Sequence, residues 1–289
     1  MRMRTVLVRH SVPLFLICVL SACGGGGGAN TANSNAPPPP PPPTPNQDAG
    51  GIWQTQYTET SGPTAGDAIK AYAIVDESGS FYFALQNQNN GCAEVGFGQA
   101  TVTGNSISGN MDVAVATFST TPGVNTNCTF PDGSTSGTGI ISGTVTQGSS
   151  MTLTDSVTTS NGTALGTETH TWTFNSLYDN PSSLAAVSAN YADGSDTLSI
   201  AGNGVIFEQD PTTGCVINGQ ISIINAAYNA YSMSLTFSNC TGSAAGANGY
   251  TMTGLATLDT TVSPAQLDFG VSTGTNVGGF VVLVDSLPQ

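Results

Sequence analysis

A repeated pair of cysteines is the feature that most constrains the fold of this chain. Each half contains Gly-Cys, a gap and then Asn-Cys-Thr, and the four cysteines are Cys92, Cys128, Cys215 and Cys240. An even number of cysteines in an oxidising compartment is typical of disulfides. The repeated flanks favour the pairs Cys92–Cys128 and Cys215–Cys240, one in each half. The alternative is a four-thiolate metal site, but no C-x-x-C spacing of the kind that zinc favours is present.

Other sequence features repeat in the same order. "GSFYF" precedes the first Gly-Cys and "GVIF" precedes the second. Gly143 lies in a Thr-rich run after Cys128, and Gly254 lies in a similar run after Cys240. Internal repetition of this kind indicates a duplicated unit. We therefore expect two homologous domains, each closed by its own disulfide.

Alternation of apolar and polar residues predicts strands throughout. "YSMSLTFSN" alternates strictly, "THTWTFNSL" places Trp172 and Phe174 on one face, and "MTLTDSVT" alternates with Asp155 as the odd member of its apolar face. Period-two patterning with Thr and aromatic residues is typical of half-buried antiparallel strands. Turn signals such as Asp-Gly and Asn-Gly separate the runs. The fold class predicted is all-β, with two tandem small antiparallel meander barrels or sandwiches of about eight strands each.

The first 22 residues have the pattern of a secretory leader. Three arginines precede the apolar run "VPLFLICVL", which is too short to span a bilayer, and small residues follow it. The stretch "LSAC", Leu20 to Cys23, resembles the lipobox of bacterial lipoproteins. An ordinary signal peptide with an incidental Cys23 is the alternative.

The lipobox resemblance implies a processed chain that begins at Cys23. The Cys23 sulfur would carry diacylglycerol and its amino group a further acyl chain such as palmitate, while Cys18 leaves with the leader. Two or three acyl chains hold a protein on a membrane almost irreversibly. Gly24 does not resemble the aspartate that retains such lipoproteins at the inner membrane, so we expect the outer membrane, on its periplasmic face or at the cell surface.

A spacer follows the lipobox. "GGGGGANTANSNA" has no large apolar residue, and the seven prolines after it form a stiff polyproline II rod. The domain organisation expected is a signal peptide over residues 1–22, a lipidated Gly/Pro-rich linker over 23–50, and β-domains over 51–179 and 180–289.

Charge excludes one class of partner. Beyond the leader the chain carries 18 acidic residues against a single basic one, Lys70, which gives a formal charge of −17. Phosphate backbones require clustered Lys and Arg, so no nucleic acid is expected as a partner.

The start of the first domain resembles a known kind of barrel. Gly51-Ile52-Trp53 is similar to the Gly-x-Trp on the first strand of lipocalin and avidin barrels. Together with the strand count and the leader, it resembles surface lipoproteins with transferrin-binding-protein-like barrels, and the chain is also similar to uncharacterised β-rich proteobacterial lipoproteins. The second half has only Ala189-Asn190-Tyr191 at the equivalent place.

Candidates for chemistry are few. His170 is the only histidine beyond the leader, and with Asp155 or Glu168 and a serine it would make a hydrolase. The alternative is a solvent-facing strand residue, and no Gly-x-Ser-x-Gly elbow is present. The acids are scattered along the sequence. The "DGSD" of Asp193 to Asp196 supplies too few oxygens for calcium and is interpreted as a turn, so no cofactor, metal or catalytic residue is expected.

Three functions remain open. The first is a non-enzymatic, surface-exposed lipoprotein of the cell envelope that presents two β-domains to a protein or glycan partner. The second is a lipocalin-like carrier of a small apolar ligand lined by Trp53, Phe81, Phe83 and Trp172. The third is the hydrolase. A barrel inserted in the outer membrane is disfavoured by the disulfides, the short strands and the redundant anchor.

Overall fold

The computed structural model describes residues 48–60, 65–117, 128–193, 196–211, 213–273 and 281–288. The leader, the lipobox, the spacer up to residue 47 and the central Gly-Ser of "DGSD" lie outside them. The strands of the described ranges are β1 (Gly51–Thr58), β2 (Ala68–Val75), β3 (Ser80–Asn87), β4 (Cys92–Thr103), β5 (Ser106–Thr117), β6 (Ser136–Thr146), β7 (Ser150–Thr159), β8 (Ala164–Asn175), β9 (Asn190–Asp193), β10 (Asp196–Ile200), β11 (Val205–Gln209), β12 (Val216–Ile223), β13 (Tyr231–Ser238), β14 (Thr251–Asp259), β15 (Gln266–Ser272) and β16 (Val281–Pro288).

Helical structure in the described part is limited to segments of four to six residues. The α-helix α1 (Leu184–Val187) is capped by Ser183, whose hydroxyl accepts the Ala186 N–H at 3.1 Å. Two 3-10 turns cover Ser176–Asp179 and Gly242–Ala247. None of the helices in the described ranges has the length and apolarity needed to cross a bilayer. The all-β class is therefore confirmed.

The first sheet is a closed barrel. Strands β1 to β8 pair antiparallel with their neighbours in sequence order, and β8 returns to β1 through pairs such as Trp53 with Phe174. Because side chains alternate across a strand, every second residue points into the barrel. The inward residues form an apolar core that includes Ala73, Phe81 and Met111. Closure of the ring leaves no unpaired edge.

The second sheet follows the same neighbour pairing. Strands β9 to β15 curl into an antiparallel sheet, and β16 pairs with β15 and then reaches β9. The seam, by which we mean the pairing of β16 with β9, is short and consists of two residue pairs. Its core is apolar and includes Tyr231, Leu235 and Phe237 from the strictly alternating strand β13. The prediction of an eight-stranded unit is thus confirmed for the first sheet, a closed barrel, whereas the second is a curled sheet of seven strands that β16 joins to β9 only by a short seam, and we call it the second ring.

The disulfides are those expected from the repeated flanks. Cys92 is bonded to Cys128 and Cys215 to Cys240. Each bond ties the start of the fourth strand of its sheet to the connection between the fifth and sixth strands. The repeated sequence signal therefore corresponds to one repeated position in the topology.

Each ring is closed at one end by an aromatic residue of its first strand. Trp53 of β1 is fully buried and its Nε1–H donates to the Ala49 carbonyl at 2.9 Å. Tyr191 of β9 is 1% exposed and its hydroxyl donates to the Val187 carbonyl at 3.0 Å. Both aromatic residues thus bond a carbonyl four positions earlier. Tyr191 therefore takes the structural role of Trp53 in the second ring, although the second ring has no Gly-x-Trp sequence.

A second hydrogen-bond pattern occurs in both rings. The Gln99 side-chain amide donates to the Ser78 carbonyl at 2.5 Å, and the Gln220 amide donates to the Asn203 carbonyl at 3.0 Å. The glycine that follows each acceptor has a positive φ, +87° and +83°. Each of these glycines ends a turn between the second and third strands of its ring. The same local structure therefore recurs at the same point of both topologies.

The two rings contact one another. The Tyr82 hydroxyl on the outer face of β3 donates to the Thr253 carbonyl of β14 at 2.6 Å. A small apolar cluster includes Ile52 from the first ring, Tyr178 from the connection and Ala230 from the second ring. Tyr178 stacks on Tyr228 with ring centroids 4.9 Å apart.

Candidate binding site

A cavity of about 50 Å³ lies inside the first barrel and is partly enclosed. Its wall is mostly apolar. It is lined by Ala73, Val75, Phe81, Phe83, Leu85, Glu94, Ala100, Ile107, Met111, Ile141, Met151, Leu153, Asp155, His170 and Trp172. One water needs about 10–15 Å³ measured this way, so the cavity has room for a molecule of a few non-hydrogen atoms. We call this space the lumen.

Three of the four aromatic residues chosen from the sequence face the lumen. Phe81, Phe83 and Trp172 are part of its wall. Trp53 lies deeper, at the closed end, where its ring meets Phe174 edge-on with centroids 5.5 Å apart. Trp53 therefore closes the barrel rather than lining the cavity.

The other end of the lumen is acidic. Glu94 of β4, Asp155 of β7 and His170 of β8 line it together, although β4 is far from β7 and β8 in sequence. In the β7–β8 register Asp155 lies opposite Glu168, and Leu153 lies opposite His170. We call Glu94, Asp155 and Glu168 the acidic cluster. The Glu168 side chain is 49% exposed whereas Trp53 is fully buried, so the acidic end is the more open one.

His170 is held between carboxylates and an aromatic ring. Its Nε2 lies 3.2 Å from Glu168 Oε2 and 4.0 Å from Asp155 Oδ1. Its imidazole stacks on the Tyr57 ring with centroids 4.2 Å apart. The His170 side chain is only 10% exposed. A histidine packed in this way has a fixed position, and among the residues that the structure describes it is the one cationic side chain beside the acidic cluster.

Burial shifts the pKa values of the acidic cluster. Desolvation raises the pKa of Glu94 to about 8, and the charges of Asp155, Glu168 and Glu59 add to the effect. Desolvation also raises the pKa of Asp155 to about 6, against the opposing influence of His170. A buried carboxylate beside like charges is stabilised in its neutral form. The acidic end therefore changes charge between mildly acidic and mildly basic pH.

The pKa of His170 results from opposing effects. Desolvation is the largest single influence and lowers it, but the hydrogen bond to Glu168 and the charges of Asp155, Glu168 and Glu59 together raise it above the ordinary value. Desolvation and the nearby carboxylates also raise the pKa of the Tyr57 hydroxyl. His170 is thus stabilised as a cation by its surroundings.

The surroundings of His170 bear on the hydrolase alternative. The described hydrogen bond of this imidazole goes to Glu168 and none goes to a serine hydroxyl. Within the ranges that the structure describes, no group of three His, Cys, Asp or Glu side chains has the geometry to hold a metal ion. What the arrangement offers is an apolar cavity with excess negative charge at its open end, which is suited to binding.

Glu94 was not among the candidate residues taken from the sequence. The acids are scattered along the sequence, but Glu94 and Asp155 line the same cavity in the folded chain. The alternation of β4 contains the signal: Glu94, Gly96, Gly98, Ala100 and Val102 share the inward face. A glutamate on the inward face of a strand is the same anomaly that Asp155 shows in β7. The convergence of the two required the register of the closed barrel, which the sequence alone did not supply.

The outer face of the barrel has a larger depression. This outer groove, of about 530 Å³, crosses β4 to β7 and is lined by Phe97, Gly98, Asn110, Met111, Asp112, Thr138, Gly139, Ile140, Ser156 and Thr158. Hydroxyl and amide groups and the Asp112 carboxylate surround one aromatic ring, Phe97, which stacks on Tyr82 with centroids 5.8 Å apart.

The chain was compared with models of protein families, with curated proteins and with solved structures, and none of the three comparisons gives a match.

Proposed function

We propose that this protein is a non-enzymatic binding protein of the cell envelope whose first barrel holds a small, mainly apolar ligand. The lumen carries this proposal, because it is a partly enclosed cavity with an aromatic and aliphatic wall and a few polar groups at one end. Ligand sites have this composition. Its volume of about 50 Å³ limits the enclosed part of the ligand to a few non-hydrogen atoms.

The location is proposed from the sequence. The lipobox-like Leu20-Ser21-Ala22-Cys23 supports a lipid anchor at Cys23, and Gly24 supports the outer membrane. The Gly/Pro-rich segment would then act as a spacer that holds the folded body away from the membrane surface.

Two tandem homologous domains are proposed for the body. Equivalent disulfides, equivalent aromatic residues at the closed ends and the Gln99 and Gln220 hydrogen bonds support a duplication. The position of Glu94, two residues after the first cysteine, corresponds to Ile217 in the second ring, which is buried in an apolar core. The binding proposal therefore concerns the first domain.

A second candidate function is contact with a protein or glycan partner, and the outer groove favours it. Hydroxyl and amide groups around an aromatic ring are suited to an uncharged polar partner such as a glycan. Phe97→Ala should abolish retention on immobilised glycans if this groove binds them, whereas Phe207→Ala, at an exposed site on the second ring, should not.

Tryptophan fluorescence tests the first proposal. Both tryptophans of the chain belong to the first barrel, so emission reports on its interior alone. Straight-chain alcohols of three to six carbons should shift the emission of the purified full chain in a saturable way. Ala73→Leu, which fills the lumen, should abolish this response. Absence of any response, or an equal response in Ala73→Leu, would remove the proposal.

A further inference from the structure

We propose that the ligand of the lumen is a small organic cation: an aliphatic amine whose stem lies against the apolar wall and whose ammonium group pairs with Glu94 and Asp155. This inference rests on the proposed function and specifies its ligand class. It follows from the charge balance of the lumen, from the environment of Glu94 and from a comparison of the two rings.

When all carboxylates of the acidic cluster are ionised, as at pH 8.5, the protein itself cannot balance their charge. Three carboxylates of the acidic cluster meet at one end of the barrel, with His170 as their one cationic neighbour among the described residues. Beyond the leader the sequence has a single lysine and no arginine. That residue, Lys70, is exposed on β2 and has the opposite parity to the inward residues Ala71 and Ala73. The acidic end therefore has more negative charge than the chain can pair.

Glu94 is the clearest unmatched group. It makes no hydrogen bond to any residue in the described part of the chain, and the charges that act on it are all like charges. Glu94 is half-buried and lines the cavity. A carboxylate in a mostly apolar wall is costly to ionise without a partner. A cation in the lumen would supply the missing partner.

The second ring shows that the fold does not need this carboxylate. Ile217 takes the place of Glu94 there, two residues after the equivalent cysteine, and is 6% exposed within the core. The same topology is thus built with an apolar residue at this position. Glu94 is then explained by a role in the lumen rather than by a role in folding.

The rest of the lumen fits an amine better than a metal ion. No three-ligand metal group occurs in the described ranges, and nine of the fifteen wall residues are aliphatic or methionine side chains. Such a wall has nothing to offer a bare metal ion but can cover an alkyl stem. The aromatic rings of Phe83 and Trp172 add faces that favour a nearby cation.

A matched set of four-carbon probes tests the inference on the full chain. At pH 8.5, n-butylamine, n-butanol and butyrate are titrated against tryptophan emission. We expect n-butylamine to bind at least about tenfold more tightly than n-butanol, because only the amine gains charge pairing in a poorly hydrated site, and butyrate not to bind. Glu94→Gln should reduce the preference for the amine to less than about threefold while n-butanol still binds as to the wild type. Asp179→Asn removes an exposed carboxylate elsewhere and should leave the preference unchanged.

The outcomes separate the inference from the proposed function. If n-butanol binds as tightly as n-butylamine, the lumen is a site for neutral ligands and the inference is overturned, while the proposed function stands. If none of the probes binds, both are overturned. If calcium alone gives the emission change and Glu94→Gln abolishes it, the acidic end is a metal site and the amine assignment is wrong. Binding of n-butanol by Glu94→Gln also shows that this variant is folded.

Discussion

Two carboxylic acids inside the first barrel destabilise it when they ionise at high pH. Glu94 and Asp155 have raised pKa values, so folding favours their neutral forms. Such an acid has a lower pKa in the unfolded chain than in the folded chain. Between these two pKa values the folded chain binds more protons, so the free energy of unfolding falls as the pH rises through this window. His170, whose pKa is also raised, contributes stability at low pH that is lost as pH rises, which has the same sign.

The pH dependence of stability follows from these signs. We expect the free energy of unfolding of the first barrel to decrease from about pH 5 to pH 8, and Glu94→Gln to flatten this decrease. At pH 8 the variant should be more stable than the wild type, on the order of 2 kcal/mol. The charged groups that act on Glu94 are Asp155, Glu168 and Glu59, and His170 acts on Asp155.

Urea unfolding followed by tryptophan emission at pH 5, 6.5 and 8 measures this effect. Asp179→Asn, a change of the same charge at an exposed site, should retain the slope of the wild type. A wild-type stability that rises from pH 5 to pH 8 would contradict the description of the acidic end.

Trp53 gives a second prediction at the scale of the residue. Its indole is fully buried and bonds the Ala49 carbonyl. Trp53→Phe keeps an aromatic ring but leaves that carbonyl without its donor, so we expect a loss of about 1–3 kcal/mol in thermal or urea unfolding. Tyr57→Phe removes a hydroxyl near the more open end and should cost much less. Equal losses of stability in Trp53→Phe and Tyr57→Phe would mean that the Trp53 hydrogen bond at the closed end does not contribute more than the Tyr57 hydroxyl at the open end.

At the scale of the strand, close approach of neighbouring backbones explains why two glycines recur. A Cβ on Gly143 of β6 would lie 1.9 Å from the Thr152 carbonyl oxygen, and one on Gly254 of β14 would lie 1.8 Å from the Gly270 carbonyl oxygen. Such overlaps with backbone atoms cannot be relieved by a side-chain rotation. The repeated glycines in the Thr-rich runs therefore mark strand contacts that no larger residue allows.

Gly143→Ala should therefore destabilise the first barrel by about 2 kcal/mol or more. Gly246→Ala is the matched control, because its added Cβ meets no atom within 4 Å and its φ is not positive. Differential scanning calorimetry of both variants measures the difference. If the two variants melt at the same temperature, the β6–β7 contact is looser than described.

Strands and disulfides were predictable because they depend on local patterns. The alternation in β13 and the repeated flanks of the cysteines each need only a few neighbouring residues to be recognised. The acidic cluster was not predictable in the same way, because β4, β7 and β8 meet around one cavity only after the ring has closed with its particular register. Asp155 was visible as an odd member of an apolar face, and the inward parity of Glu94 was the signal overlooked.

At the scale of the whole molecule, we propose an anchor, a spacer and two related rings with different interiors. The second ring has an apolar core at the place where the first has an acidic one. We interpret the second ring as a structural copy and the first as the copy that binds. Tyr82 and the small cluster around Tyr178 connect the two.

The anchor makes a separate prediction for the whole molecule. Cys23→Ala should prevent acylation and move the protein from the detergent phase to the aqueous phase of a Triton X-114 partition. Cys18→Ala, which changes only the leader, should leave the protein in the detergent phase. A wild-type protein that already partitions into water would contradict the lipid anchor and the location proposed with it.

The most direct test of the central claim is a crystal structure of the full chain soaked with n-butylamine at pH 8.5. We predict density for the amine inside the first barrel, with its nitrogen within hydrogen-bond distance of Glu94 or Asp155 and its carbons against Trp172. A lumen that stays empty or holds only water at saturating amine, with both carboxylates unpaired, would contradict it.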